Sequence, residues 1–116
     1  MSAASKRIVL VSPDRAFAQE VRSALAASET IELITVEAGV TELRGELQEA
    51  DCGAVIIDMD ASRLDQIEAL QRVMRRLDGR VPVVVVTREF NAAAVRILVQ
   101  LKVADFLVRP VAVADL

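Results

Sequence analysis

Ala54-Val55-Ile56-Ile57-Asp58-Met59-Asp60 is the stretch that decides how this chain is read. A run of branched apolar residues ends abruptly at a carboxylate, Asp58. Three further runs end on polar groups: Ile8-Val9-Leu10-Val11 at Ser12, Val83-Val84-Val85-Val86 at Thr87, and Asp105-Phe106-Leu107-Val108 at Arg109. Continuous β-branched runs of this length read as strands buried on both faces of a parallel sheet. In such sheets ligands sit beyond the carboxyl ends of the strands. The polar strand ends therefore imply one shared pocket.

Between these runs the pattern becomes helical. Ser12-Pro13 reads as an N-cap followed by proline at the first helical position, with Phe17, Val21, Ala24 and Leu25 at helical spacing behind it. Ile31 to Val36 reads as a further strand, and Val40, Leu43, Leu47 and Ala50 mark a second helix. Ser62 and Asp65 form a capping-box-like pair ahead of the stripe Leu64, Ile67, Leu70, Val73, Met74 and Leu77. Asp78-Gly79 closes that helix, and Pro82 stands at the start of the next strand, where a missing donor is tolerated. A fourth helix over about Asn91 to Lys102 carries Val95, Ile97, Leu98, Val99 and Leu101 on more than one face. That surplus points either to a partner surface, with Val95, Leu98 and Val99 as its candidates, or to tight packing. Ala112 to Leu116 reads as the first turn of a fifth helix, so the expectation is either one domain cut from a longer chain or a domain without helix five, its groove exposed. Strand and helix alternate throughout. The expected fold is an α/β, flavodoxin-like, doubly wound sheet of five parallel strands, order 2-1-3-4-5, with helices on both faces.

At 116 residues the chain is long enough for a single core. It is 53% hydrophobic and 27% charged, which excludes a disordered chain, and with only three phenylalanines as aromatics the core must be aliphatic. The net charge of -3 and the lack of a basic stripe argue against nucleic acid, whose phosphates need clustered Lys and Arg. Arg72, Arg75, Arg76 and Arg80 read as a solvated face near a helix C-terminus. With no histidine and one cysteine, Cys52, zinc clusters, internal disulfides and the usual hydrolase triads are excluded. No apolar stretch reaches membrane-spanning length, so membrane insertion is not expected and a cytoplasmic location is.

On these residues the chain resembles the receiver domain of two-component response regulators, CheY-like, over almost its whole length. Ala54 to Asp65 aligns without gaps to the family's phospho-acceptor strand and the following loop. The resemblance implies that Asp58 holds the phospho-acceptor place, Thr87 the switch hydroxyl, and Phe106 the switch aromatic. It also puts Arg109-Pro110 where the family has Lys-Pro. Residue by residue, simpler roles stand beside these. Asp58 can cap a loop, Thr87 a strand end, and Ser12 and Asp65 helices, while Phe106 can be ordinary packing.

The chain also departs from that pattern. Receivers end their first strand with adjacent carboxylates that hold Mg²⁺, and here those places read Ser12-Pro13. Of the possible metal ligands Asp58, Asp14 and Asp60, Asp14 falls one or two residues late. Mg²⁺ prefers near-octahedral oxygens with one or two carboxylates, so its binding is expected to be weakened and no cofactor is expected. Arg109 keeps the charge of the family lysine but has a planar fork that pairs with carboxylates, so it is expected to reach Asp58 directly. The expected function is a receiver-like signalling domain with a degenerate acidic pocket that acts by binding proteins and is not an enzyme. The alternative is a working receiver, phosphorylated on Asp58 with Mg²⁺ by a histidine kinase. Ala93 to Val99 and Ala104 to Val111 resemble the degenerate receivers ahead of a ParA/MinD-like ATPase in pilus-assembly proteins of the CpaE/TadZ type. That likeness implies a C-terminal output or ATPase domain as partner, with homodimerisation through the fourth helix as a further expectation. Asp58-Met59-Asp60 and Thr87 also resemble motifs of haloacid-dehalogenase-like phosphatases, but the further acidic pair those enzymes need is missing.

Overall fold

A computed structural model describes residues 6–26, 30–43, 53–87 and 92–108. Strands β1 (Lys6–Val11), β2 (Ile31–Val36), β3 (Ala54–Asp58), β4 (Val83–Thr87) and β5 (Asp105–Val108) alternate with helices α1 (Arg15–Leu25), α2 (Leu64–Leu77) and α3 (Ala92–Gln100). All strand pairs are parallel, and the sheet order is β2-β1-β3-β4-β5, as the alternating pattern predicts.

Alternation along each strand sorts the core into two layers. Val9, Val11, Val55, Ile57, Val83 and Val85 face Ile67, Leu70, Val73 and Leu77 of α2 and Ala94 and Leu98 of α3. Leu10 and Val86 face Phe17 and Val21 of α1 on the opposite side. Both faces of the central strands are therefore covered, which is why their sequences run apolar without a break. No helix among the described residues is long and apolar enough to cross a membrane.

Several local expectations are corrected. Helix α1 begins at Arg15 and is capped by Asp14, whose carboxylate accepts from the N–H groups of Ala16 at 2.9 Å and Phe17 at 3.3 Å. Ser12-Pro13 therefore lies outside the helix, because the Ser12 hydroxyl has another partner. The expected Ser62 cap fails for a similar reason. Ser62 bonds Asp60 through both its N–H, at 3.0 Å, and its hydroxyl, at 2.5 Å, and Arg63 becomes the N-cap with no side-chain bond. Leu64, expected on the buried stripe, is 70% exposed. Val40 opens only a 3-10 turn, Val40–Glu42, which ends on an extended Leu43. Leu47, Ala50 and the helix expected from Ala112 lie outside the described residues.

Helix α2 stops cleanly. Asp78 takes the left-handed conformation at φ 49°, followed by Gly79 at φ 72°, where the missing Cβ removes the steric cost. Arg80 then donates to the carbonyls of Leu77 at 2.9 Å and Arg76 at 2.7 Å, satisfying acceptors that the helix end leaves open.

Candidate functional site

The sheet register builds the site. β1 pairs with β3 so that Leu10 lies beside Ile56 and Val11 beside Ile57. One step further places Ser12 beside Asp58, on the same face by strand alternation. Ser12 prolongs β1, since its N–H donates to the Val36 carbonyl at 3.1 Å and its own carbonyl accepts from Ala38 at 3.2 Å.

The Ser12 hydroxyl donates to Asp58 Oδ2 at 2.8 Å, and both residues are buried, at 2% and 7% exposure. The Asp14 carbonyl is a second acceptor in reach of that hydroxyl at 3.3 Å. A hydroxyl has one proton, and the shorter, charge-assisted bond to the carboxylate is the stronger claim on it. The oxygen lone pairs remain available, and the Asp14 N–H donates to Ser12 Oγ at 3.0 Å. Ser12 thus holds the Asp58 carboxylate and the loop into α1 together.

Thr87 ends β4 fully buried, and its Oγ1 accepts from the Ala61 N–H at 3.1 Å. This fastens the end of β4 to the loop between β3 and α2. Asp60 lies in that loop, with its N–H on Gln66 Oε1 at 2.7 Å and its carboxylate on Ser62. The candidate ligands Asp14 and Asp60 are thus engaged in local caps and turns. Among the described residues, no group of three or more His, Cys, Asp or Glu lies together in a way that could hold a metal ion.

The other candidates separate. Phe106 is half-buried and packs against the core cluster that includes Leu98 and Leu70. On α3, Leu98 is fully buried and belongs to the core, Val95 is half-buried, and Val99 is 64% exposed. Arg109 and Pro110 lie outside the described residues, so the expected reach of Arg109 to Asp58 lies there too.

Sequence reasoning missed a groove beside Ser12, between α1 and β2. Arg15, Gln19 and Arg22 form one stripe along α1, facing Thr35 and Glu37. Arg15 Nε donates to Glu37 Oε1 at 2.7 Å, and Arg22 Nη2 to Thr35 Oγ1 at 3.2 Å. The hydrogen bond and the charge of Glu37 raise the Arg15 pKa above its ordinary value. The i, i+4, i+7 spacing of the stripe was legible, but exposed polar stripes are common on surface helices.

The family model for the response regulator receiver domain matches residues 8–116. Solved structures with the same fold include a response regulator receiver protein from Pseudoalteromonas atlantica, at 17% identity and TM-score 0.73, with 94% of this chain and 88% of that one covered. A CheY-like response regulator from Mesorhizobium loti shares 22% identity at TM-score 0.71, with coverages of 96% and 92%. The phosphorylated cyanobacterial phytochrome response regulator RcpA shares 24% at TM-score 0.74, with coverages of 97% and 86%. No curated protein matches. The structural likenesses support the fold, and the family match over nearly all of the sequence supports membership: the chain belongs to the response regulator receiver domain family of two-component systems.

Proposed function

We propose that this receiver domain signals by binding protein partners while its acceptor carboxylate is held by a neighbouring hydroxyl, without a phosphorylation cycle. The observation that carries this reading is the buried 2.8 Å bond from Ser12 to Asp58. Phosphoryl transfer to a carboxylate brings two anions together, and a divalent ion normally supplies the compensating charge. The described donors do not fit such an ion, because a neutral hydroxyl stands beside Asp58 and the Asp14 carboxylate caps α1. The partner is a protein, either a separate one or an output or ATPase domain of the same polypeptide, in a cytoplasmic setting.

The second reading is a working phospho-acceptor. It is favoured by Asp58 and Thr87 ending adjacent strands, and by the phosphorylated state of RcpA, which has the same fold. Thermal unfolding with Mg²⁺ and beryllofluoride, a phosphoryl mimic, separates the two. A ligand that binds the folded state raises the melting temperature in proportion to the logarithm of its saturation. Contact signalling predicts an unchanged melting temperature. A rise that disappears in Asp58→Asn supports the phospho-acceptor.

A further inference from the structure

The groove between α1 and β2 has about 210 Å³ of space, less than the roughly 300–1,000 Å³ of pockets for drug-sized ligands. Its occupant is therefore small. The charged groups that line it are Arg15, Arg22 and Glu37, giving a net charge of +1. Gln19 and Thr35 add neutral hydrogen-bonding groups between the arginines, and Ser12 lines it as well. The guanidinium of Arg15 is held by Glu37, but those side chains are 83% and 58% exposed. An exposed ion pair of this kind contributes little, so an incoming anion can take the place of the Glu37 carboxylate at small cost. Arginine suits that exchange, since its planar fork matches carboxylate and phosphate oxygens.

We infer that this groove is a regulatory site for a small oxyanion, a phosphate or a short carboxylate, bound between Arg15 and Arg22 and sensed at Asp58 through Ser12. The anion-binding part stands on the groove alone. The coupling part rests on the Ser12–Asp58 contact that carries the proposed function. An anion drawn to the arginines adjoins the residue whose hydroxyl fixes the acceptor carboxylate, so occupancy alters the setting of that hydroxyl.

The test is an amide chemical-shift titration of the domain with inorganic phosphate and, separately, with succinate, against potassium chloride at matched ionic strength. The expected result is saturable shifts at the amides of Ser12, Arg15, Gln19, Arg22 and Thr35 with at least one probe, accompanied by a shift at Asp58. The probe that saturates identifies the oxyanion class. Arg22→Gln is expected to weaken binding at least tenfold, and Glu37→Gln, which releases Arg15, to tighten it severalfold. No saturable response beyond that to chloride, or a response untouched by Arg22→Gln, overturns the site. Groove shifts with a silent Asp58 amide overturn the coupling. A phosphoryl adduct on Asp58 contradicts the proposed function while leaving groove binding intact, so the two readings fail separately.

Discussion

The Ser12 hydroxyl donates a 2.8 Å hydrogen bond to Asp58 Oδ2, joining the ends of adjacent strands across 46 residues of sequence. The contact follows from register. With Val11 beside Ile57, the next residue of each strand meets its neighbour at the carboxyl edge of the sheet. What stands opposite Asp58 is then decided by one side chain, and here it is a hydroxyl.

Removing that hydroxyl leaves a buried carboxylate short of a charge-assisted bond. Ser12→Ala is expected to lower stability by about 1.5–3 kcal/mol, the range for hydrogen bonds to charged groups. Urea denaturation checks this, with the midpoint falling and the slope unchanged.

Replacing the hydroxyl by a carboxylate reverses the pocket's metal response. Ser12→Asp sets a second negative charge beside Asp58, so the variant is expected to be less stable than wild type in chelator. Mg²⁺ should then restore it, because a cation relieves like-charge repulsion. Melting temperatures with and without Mg²⁺ provide the check, and the wild type is expected to show no such shift.

Thr87 fastens the β3–α2 loop through the Ala61 N–H at 3.1 Å. Thr87→Val keeps the shape and removes the acceptor, leaving a buried donor unsatisfied at a cost of about 1–3 kcal/mol. Thr87→Ser retains the oxygen and is expected to cost less. Chemical denaturation of the two variants side by side checks the order.

On α3, Leu98 is buried and Val99 is 64% exposed, so their substitutions should act differently. Leu98→Ala is expected to cost about 2–5 kcal/mol through the cavity it leaves. Val99→Lys should stay within about 0.5 kcal/mol of wild type, as surface changes do. If α3 is the contact face, wild-type mass in sedimentation rises with concentration and Val99→Lys remains a monomer. A wild type that stays monomeric at every concentration contradicts the homodimer expected from the apolar surplus of this helix.

The central strands were legible because burial on both faces leaves a continuous branched run. The edge strand β2, none of whose residues is fully buried, was legible instead from its β-branched composition, and Ile31 to Val36 matches it end to end. The helix starts were less so, since each cap depends on a competition between partners. Ser12 has the composition of an N-cap, but its hydroxyl is taken by Asp58, and Asp14 caps α1 in its place. Ser62 is drawn to Asp60 in the same way. Leu64 fits the apolar stripe by spacing alone, yet it opens the first turn of α2 and lies exposed. At the site, Asp58 and Thr87 could be picked out as strand ends. The pairing of Asp58 with Ser12 could not, because it arises from the register of strands far apart in sequence. The groove stayed hidden because its lining comes from β1, α1 and β2 and its Thr35 and Glu37 carry no motif.

The most direct test of the central claim is the intact mass of the domain after incubation with acetyl phosphate and Mg²⁺, with Asp58→Asn alongside. A carboxylate held by Ser12 predicts no phosphoryl adduct on the folded wild type with the donor in excess. An adduct on wild type that is absent from Asp58→Asn would contradict the account and make this chain a phosphorylated switch.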